Sequence, residues 1–278
     1  MQVFDTPGTV SLQVRLPSGH VIVTAVDEPR TTVEVIPLGR AGDDAIDAIE
    51  VRADARGDGH LITIEQKERI RWGPLQITWG AGVEVRVTCP PGSNLDFTGG
   101  STDLRVDGDL HDATIKTASG DVKLGDVARR FDVKTASGDV SVGSIAEGGQ
   151  ANTVSGDLQV AGFEGELVAR SVSGDVRVGA VRGPLQLSTT SGDVSLDTVD
   201  AGEVRVQTVS GDVRIGVGHG TRVFIDAASV SGDLGSDLGL ESELSQEGDL
   251  AGPVVPLHVK TVSGDVQIVR SAGAFSAS

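Results

Sequence analysis

Apolar and polar residues alternate over short stretches of the chain, and these stretches recur at a fixed interval. In one stretch Val122 and Leu124 alternate with polar residues, Gly125 permits a sharp turn, and Phe131 and Val133 alternate again. Alternation with a period of two is typical of a strand that buries one face. The pattern therefore predicts an all-β fold in which each interval supplies short strands joined by tight turns.

A Ser-Gly-Asp motif marks every interval, for example in Thr-Ala-Ser-Gly-Asp-Val at 117–122 and in Thr-Val-Ser-Gly-Asp-Leu at 153–158. Its aspartates are Asp121, Asp139, Asp157, Asp175, Asp193, Asp212, Asp233 and Asp265, after a degenerate copy at Asp103. The spacing of these aspartates is even as far as Asp193 and then widens in three steps. This periodicity predicts a β-solenoid in which coils stack and equivalent residues form columns.

The even period also equals three hexapeptides, which is the repeat of a left-handed β-helix. A hexapeptide rule needs an apolar residue at every sixth position, but Arg130 stands at the sixth position after Leu124. Parallel crossover connections favour the right hand. We therefore expect a single-chain right-handed parallel β-helix with coils of about 18 residues.

Residues 1–99 are less regular but contain the same template. Its corner, the turn that corresponds to Ser-Gly-Asp, is Ser18-Gly19-His20. Its apolar residues are Leu12, Val14, Leu16, Val21 and Val23. They match residues 131–142 position by position, with His20 in the place of Asp139. We interpret 1–99 as decorated early coils of the solenoid, although a separate β-sandwich is the alternative. Further strands are expected at 31–36, 61–66 and 83–88.

Segments that interrupt this template are candidates for special roles. Residues 43–49 place acids in the first turn of a predicted short helix, and a long loop at 67–82 holds Trp72 and Trp79. These tryptophans either cover strand edges or form a contact patch for a sugar or a protein. The second interpretation makes Trp72 and Trp79 the candidate interaction surface.

Regular coils are expected over 100–269, with an acidic insertion at 235–254 and a flexible tail at 270–278. Open ends of a solenoid invite strand pairing, which permits end-to-end or dimeric self-association as well as a monomer. We expect the 41–50 segment or the strand at 254–269 to cap an end.

Composition narrows the classes of function. The net charge of −17 argues against nucleic acid and against an anionic membrane surface as partners. No run of about 18 apolar residues is present, so we expect no membrane span. The first residues lack the basic and apolar regions of a signal peptide, from which we expect a cytoplasmic protein. Cys89 is the single cysteine and cannot form an intrachain disulfide.

The column of aspartates is the most prominent candidate for chemistry. Carboxylates stacked about 4.8 Å apart repel by ~0.9 kcal/mol in water and by ~3.5 kcal/mol at an effective dielectric of 20. Hydrogen bonds from turn amides would offset this repulsion, and calcium between coils is the alternative. We interpret the aspartates as a structural turn ladder.

Catalysis has no comparable signal in the sequence. The serines of the motif are equivalent to one another, whereas a nucleophile needs one serine activated by a base. The five histidines are scattered without metal-ligand spacing. We expect no catalytic residues, no metal and no cofactor.

The repeated Thr-x-Ser-Gly-Asp-Val, with Ser18-Gly19-His20-Val21-Ile22-Val23 near the start, resembles the bacterial putative-adhesin family of β-strand repeat proteins, a domain of unknown function. The resemblance implies a β-helix without cofactor or catalytic residues. We therefore expect a non-enzymatic structural or interaction scaffold with an unknown protein or glycan partner. The alternatives are a carbohydrate-binding or carbohydrate-active β-helix and a surface adhesin exported by a non-classical route.

Overall fold

A computed structural model describes residues 1–38, 46, 48–57, 59–67, 82–238 and 254–271. This part of the chain is all-β, with mainly parallel strands in a solenoid-like arrangement. It divides into two compact units, Met1–Ser144 and Ile145–Ser278. Trp72, Trp79 and most of the helix predicted at 43–49 lie outside the described residues.

The first unit contains the early template and the first regular repeats. Its strands are β1 (Gln2–Asp5), β2 (Val10–Ala25), β3 (Arg30–Leu38), β4 (Ile49–Arg56), β5 (Gly59–Gln66), β6 (Gly82–Cys89), β7 (Ser93–Asp107), β8 (Leu110–Ser119), β9 (Val122–Leu124), β10 (Phe131–Ser137) and β11 (Val140–Ile145). The strands predicted at 31–36, 61–66 and 83–88 are therefore confirmed as β3, β5 and β6.

The early template is in register with the regular repeats, as its pattern predicted. β2 pairs in parallel with β7, which places Leu12 beside Leu95 and His20 beside Asp103. β7 pairs in turn with β8, and β8 with β10, so the same column continues from Leu95 through Ala113 to Phe131. The inward residues of β2 are buried, in agreement with their apolar character.

Antiparallel strands flank the parallel part of the first unit, and the repeat pattern did not predict them. β3 pairs antiparallel with both β1 and β6, and β4 pairs antiparallel with β5. β5 and β6 pair in parallel with the two halves of β2. The direction of the chain therefore reverses at β3 and at β4.

The second unit is built from the later repeats. Its strands are β12 (Gly148–Ser155), β13 (Leu158–Phe163), β14 (Glu166–Ser173), β15 (Val176–Val181), β16 (Leu185–Ser191), β17 (Val194–Val199), β18 (Val204–Ser210), β19 (Val213–Val217), β20 (Arg222–Ser231), β21 (Leu234–Ser236), β22 (Val254–Ser263) and β23 (Val266–Arg270). The pairs are parallel and join equivalent repeat positions, such as Leu158 with Val176 and Val176 with Val194.

The order of the last strands in space differs from their order in the sequence. β22 pairs with β18 on one side and with β20 on the other, and β23 lies in the same way between β19 and β21. His258 of β22 lies between acids on both sides, with Nε2 3.4 Å from Glu203, which precedes β18, and Nδ1 3.2 Å from Asp226 of β20. The expectation that 254–269 caps an end is therefore wrong, because this segment has a partner strand on each side.

β20 and β21 form the outer layer of the second unit among the described residues. Ile225 and Leu234 occupy columns whose neighbouring members Leu257 and Val266 are fully buried. Ile225 is 37% exposed and Leu234 53% exposed. Residues 239–253, which make up most of the predicted insertion, lie outside the described part of the chain.

The interior consists of columns of Val, Leu and Ile with few aromatic rings. The largest side chains in it are Phe97, Phe131 and Phe163, each at most 2% exposed. The Thr position of the motif is also buried, at 5–7% exposure, in every repeat from Thr117 to Thr208 and at Thr261, whereas Ser229 of the outer strand β20 is partly exposed. Short strands that pack against their own copies leave a narrow interior, which small β-branched residues fill well.

A glycine at each corner allows successive turns to come into close contact. Gly192 has a φ of +127°, and a Cβ at this position would overlap the carbonyl oxygen of Gly174 in the preceding turn. Gly211 has the same relation to Gly192. The motif therefore needs glycine both for its backbone angle and for the space between the turns.

Gly192→Ala should lower the free energy of unfolding by at least ~3 kcal/mol. The positive φ is strained for alanine, and the new Cβ would also overlap the carbonyl oxygen of Gly174. Gly220→Ala is the matched control, since Gly220 also has a positive φ of +81° but nothing lies within 4 Å of a Cβ there. We expect this control to cost only about 1 kcal/mol. Equal losses in urea unfolding followed by circular dichroism would contradict the close-contact argument.

Cysteine pairs test the order of the last strands. Lys260 is in register with both Gln207 and Ala228, and all three side chains point outward. Lys260→Cys should therefore form a disulfide with Gln207→Cys and, in a separate variant, with Ala228→Cys. The pair of Gln207→Cys and Ala228→Cys lies two strand spacings apart, about 9.6 Å, which is too far for a disulfide. Mass spectrometry measures disulfide formation. Efficient oxidation of that last pair alone would show that β20 pairs directly with β18 and that β22 does not lie between them.

Candidate functional site

The aspartates of the motif form a column in which each carboxylate accepts a hydrogen bond from the next turn; we call this column the turn ladder. In the first unit the backbone N–H of Asp121 donates to Oδ1 of Asp103 at 3.0 Å, and that of Asp139 donates to Asp121 at 3.0 Å. In the second unit these bonds measure 2.8–2.9 Å and link Asp157, Asp175, Asp193, Asp212, Asp265 and Asp233 in this spatial order.

This geometry explains how stacked carboxylates are tolerated. Each carboxylate that has a following turn accepts a hydrogen bond from its main-chain amide, which stabilises the negative charge. The side chains also remain in contact with solvent, which screens the repulsion between neighbouring carboxylates. The sequence predicted hydrogen bonds from turn amides, and the structure places the donor in the adjacent turn. The turn ladder is thus a structural element that joins one coil to the next.

His20 takes the place of an aspartate at one end of the ladder in the first unit. Its Nδ1 lies 3.1 Å from Oδ2 of Asp103, and both side chains are about half exposed. An imidazole here adds a partner of opposite sign when it is protonated, which an aspartate could not do. The substitution therefore fits the end of a column of acids.

The hydroxyl groups of the corner serve the same structural purpose. Thr135, Thr189 and Thr208 each donate to the carbonyl of the serine two positions later, at 3.2–3.3 Å. Thr102, fully buried, donates to the carbonyl of Leu16 at 2.7 Å. Thr153 and Ser171 donate instead to the carbonyl of the corner glycine, at 3.5 Å, and the buried Thr261 hydroxyl has no partner among the described residues. The corners thus share their backbone path more closely than their hydroxyl bonds.

The residue between Thr and Ser in the motif points into solvent and is often valine. In the second unit these valines form a column that we call the corner stripe: Val154, Val172, Val209, Val262 and Val230. Their exposed fractions range from 48% to 83%. The equivalent position is Thr190 in one repeat and alanine in the first unit, at Ala118 and Ala136. An ordered apolar column at the surface is a candidate contact site.

A groove of about 660 Å³ lies on the outer face of β13, β15, β17, β19 and β23. Four arginines line it, Arg177, Arg182, Arg214 and Arg270, together with Asp197 and Asp200. No sequence argument singled these residues out, because they occupy variable outward positions of the repeat. The available signal was the clustering of cations at equivalent positions, which becomes visible only when the coils are aligned.

The single cysteine and the possible metal ligands are further candidates for chemistry in the sequence. Cys89 is buried, and this burial raises the pKa of its thiol, an effect that a hydrogen bond from Ser93 partly opposes. Within the described ranges, no three His, Cys, Asp or Glu side chains are placed to hold a metal ion. The same part of the chain contains no helix that is long and apolar enough to cross a membrane.

Comparison with known proteins identifies relatives of this repeat. The sequence profile of Toastrack DUF4097 matches residues 5–161 and again residues 108–269. This match confirms the resemblance that the Ser-Gly-Asp motif indicated. No curated protein matches the sequence.

Solved structures with a similar course of the chain share little sequence with it. A putative adhesin from Bacteroides fragilis is 15% identical, with a TM-score of 0.43 and coverage of 96% of this chain and 95% of that chain. A putative adhesin from Parabacteroides distasonis is 13% identical, with a TM-score of 0.44 and coverage of 96% and 95%. A putative lipid binding protein from the same species is 11% identical, with a TM-score of 0.41 and coverage of 97% and 96%. Similarity at this level assigns no function to the chain.

The turn ladder makes a prediction about Asp193, whose Oδ1 accepts from the N–H of Asp212 at 2.8 Å. Asp193→Ala removes this acceptor and should lower the free energy of unfolding by about 1 kcal/mol. Asp193→Asn keeps an acceptor oxygen and removes one charge from the column. Its free energy of unfolding should therefore stay within ~0.5 kcal/mol of the wild-type value or rise. Chemical denaturation of both variants checks this. Equal destabilisation by the two substitutions would contradict the view that the side-chain oxygen stabilises the ladder by accepting a hydrogen bond.

Proposed function

The chain belongs to the Toastrack DUF4097 family, and we propose that it is a non-enzymatic scaffold that presents repeated surfaces to a partner. One observation carries this proposal, namely the equivalence of the Ser-Gly-Asp corners. Each has a positive-φ glycine and, where described, an aspartate bonded to the adjacent turn. These features hold coils together, and they leave the outward positions free to vary.

Equivalence favours a scaffold over an enzyme for a physical reason. Catalysis by serine or aspartate requires one group whose basicity or nucleophilicity differs from that of its neighbours. The hydroxyls of Thr135 and Thr189 donate to backbone carbonyls, and the corner acids accept from backbone amides. These threonines and aspartates stabilise turns, so chemistry at an aspartate would compete with the fold, and the corner serines are copies of one another.

We also propose the finer architecture, a right-handed parallel β-helix with coils of about 18 residues. Strand partners one such period apart, as Val122 with Val140 or Leu158 with Val176, support this coil length. The steric preference of parallel crossovers supports the right hand. Glycine at each corner supplies the sharp turn that such a short coil needs.

The corner stripe is the surface that this scaffold offers to a protein partner. Its valines are about half exposed or more and recur along the stack of strands, so they span roughly 24 Å at 4.8 Å per strand. Single exposed valines are ordinary, whereas an aligned series is an apolar strip that a partner can cover. Aspartates beside the strip add charge at its rim, which favours a partner with a complementary basic border.

Lysine substitutions at Val154, Val172 and Val209 test the proposal. They add three charges to the corner stripe without touching the interior, so the fold should persist and partner binding should fall at least tenfold. The matched control carries lysine at Gln159, Gln186 and Gln207, which are exposed on the strand faces and give the same change in charge. Quantitative proteomics of complexes from native cells measures the retained partner.

A protein that wild type and the control variant retain, and that the stripe variant loses, would support the scaffold. Equal retention by all three variants would reject the corner stripe as the contact surface. Loss of a cellular activity on replacement of one corner serine, with the other corner serines dispensable, would reject the non-enzymatic assignment.

A further inference from the structure

The groove on the second unit differs from the corners because its side chains are not repeated. Arg177 and Arg214 are outward residues of β15 and β19, and Ser195 of β17 lies in register between them. Arg182 follows β15, and Arg270 ends β23. All four guanidinium groups line the same groove. Coil stacking thus brings together cations that are widely separated in the sequence.

This concentration of positive charge stands out in an acidic chain. The protein has a net charge of −17, yet the groove is lined by four arginines and two aspartates. Its charged lining therefore sums to +2, from four positive and two negative groups. A local excess of cations within a surface of opposite sign attracts an anionic group.

Two of the arginines are paired, and two have no carboxylate partner among the described residues. Arg177 donates to Asp197 at 3.2 and 3.3 Å, and Arg182 lies 3.8 Å from Asp200 and 3.9 Å from Glu164. The Arg270 guanidinium donates to the carbonyls of Gly218 and Thr221. Arg214 has no ion pair or side-chain hydrogen bond within the described ranges. Arg214 is thus available to an incoming anion, and Arg270 of the adjacent strand β23 adds a second positive charge to the lining.

The floor of the groove is made of small residues. Gly179 and Gly216 are in this lining, and a Cβ at either position would overlap a carbonyl oxygen of the neighbouring strand. Ala161 and Ala180 also contribute little side-chain volume. The groove crosses five strands, which corresponds to about 19 Å at 4.8 Å per spacing. Its shape therefore suits an elongated ligand that lies across the strands.

The polar groups of the groove indicate the chemistry of that ligand. Guanidinium groups recognise carboxylate, sulfate or phosphate oxygens by paired hydrogen bonds. Asp197 and Asp200 accept hydrogen bonds, while the hydroxyls of Ser195 and Thr198 both donate and accept. A ligand that fits both sets carries oxyanion groups and hydroxyl groups along one chain. This combination is that of an acidic oligosaccharide.

We propose that the groove binds a short acidic oligosaccharide, with one oxyanion held by Arg214 beside Arg270. The hydroxyls of the sugar donate to Asp197 and Asp200. Ion pairs between exposed side chains are weak, so the bonds of Arg177 and Arg182 exchange readily with a second oxyanion of the ligand. This site goes beyond the scaffold proposal, which depends on the corner stripe and would stand if the groove bound nothing.

Calorimetric titration of the full chain tests the groove with three probes: a galacturonic acid trimer, a neutral galactose trimer and inorganic sulfate. We expect saturable binding of the acidic trimer, at least tenfold weaker binding of either other probe, and weakening as salt increases. Arg214→Gln should reduce affinity for the acidic trimer about tenfold, because one charged hydrogen-bond donor is lost. Arg270→Gln should reduce it as well.

Arg205→Gln is the matched control, because Arg205 is exposed, belongs to the same unit and lies outside the groove. It changes the net charge equally and should leave affinity within twofold of wild type. Circular dichroism spectra and unfolding midpoints of the variants confirm that the fold is kept; if Arg270→Gln unfolds, Arg214→Gln alone decides.

Several results would overturn the inference. Absence of saturable binding of the acidic trimer rejects the site. Equal binding of sulfate reduces it to a simple anion site, and equal binding of the neutral trimer removes the role of the arginines. Equal losses in Arg214→Gln and Arg205→Gln would show that net charge, rather than the groove, attracts the ligand. Whether the corner stripe variants keep or lose their protein partner does not affect the calorimetric results for the groove, so the two proposals can fail separately.

Discussion

Close contact between successive turns is the constraint on which the rest of the structure depends. At Gly192 and Gly211 the backbone of one turn approaches the carbonyl oxygen of the next so closely that no side chain fits between them. This approach sets the register of the flanking strands, since each corner must lie over its copy. With the register fixed, valines meet valines in the interior, and the amide of one aspartate meets the carboxylate of another.

Repetition in the sequence predicted the parts of the fold that local chemistry repeats, and missed the parts that depend on the path of the chain. The match of Leu12 and His20 to the regular coils could be read from alternation and from the corner motif, and the register confirms it. The antiparallel strand β3 has alternating residues but no corner, and alternation carries no information about direction. The position of β22 between β18 and β20 depends on a long connection, which a periodic pattern cannot encode.

The candidate sites show the same division. The turn ladder was predictable because its residues are the repeat itself, although the sequence could not tell that the donor belongs to the adjacent turn. The groove was not predictable from a single repeat, because its arginines combine outward positions of several coils, among them Arg177, Arg214 and Arg270. In a repeat protein, sameness of the corner maintains the scaffold, and differences among outward residues distinguish one coil from another. Binding specificity belongs to those differences.

The insertion of β22 between two earlier strands also determines when parts of the protein can fold during synthesis. Residues 222–236 leave the ribosome before residues 254–269, but their hydrogen-bonded neighbours among the described residues are β22 and β23. The nascent strands β20 and β21 therefore lack these neighbours until the later segment arrives, and that segment then pairs on both of its own edges. Most of the second unit can grow vectorially, coil upon coil, whereas its final layers complete together. A ribosome that stalls between these two segments therefore exposes unpaired strand edges to other nascent chains.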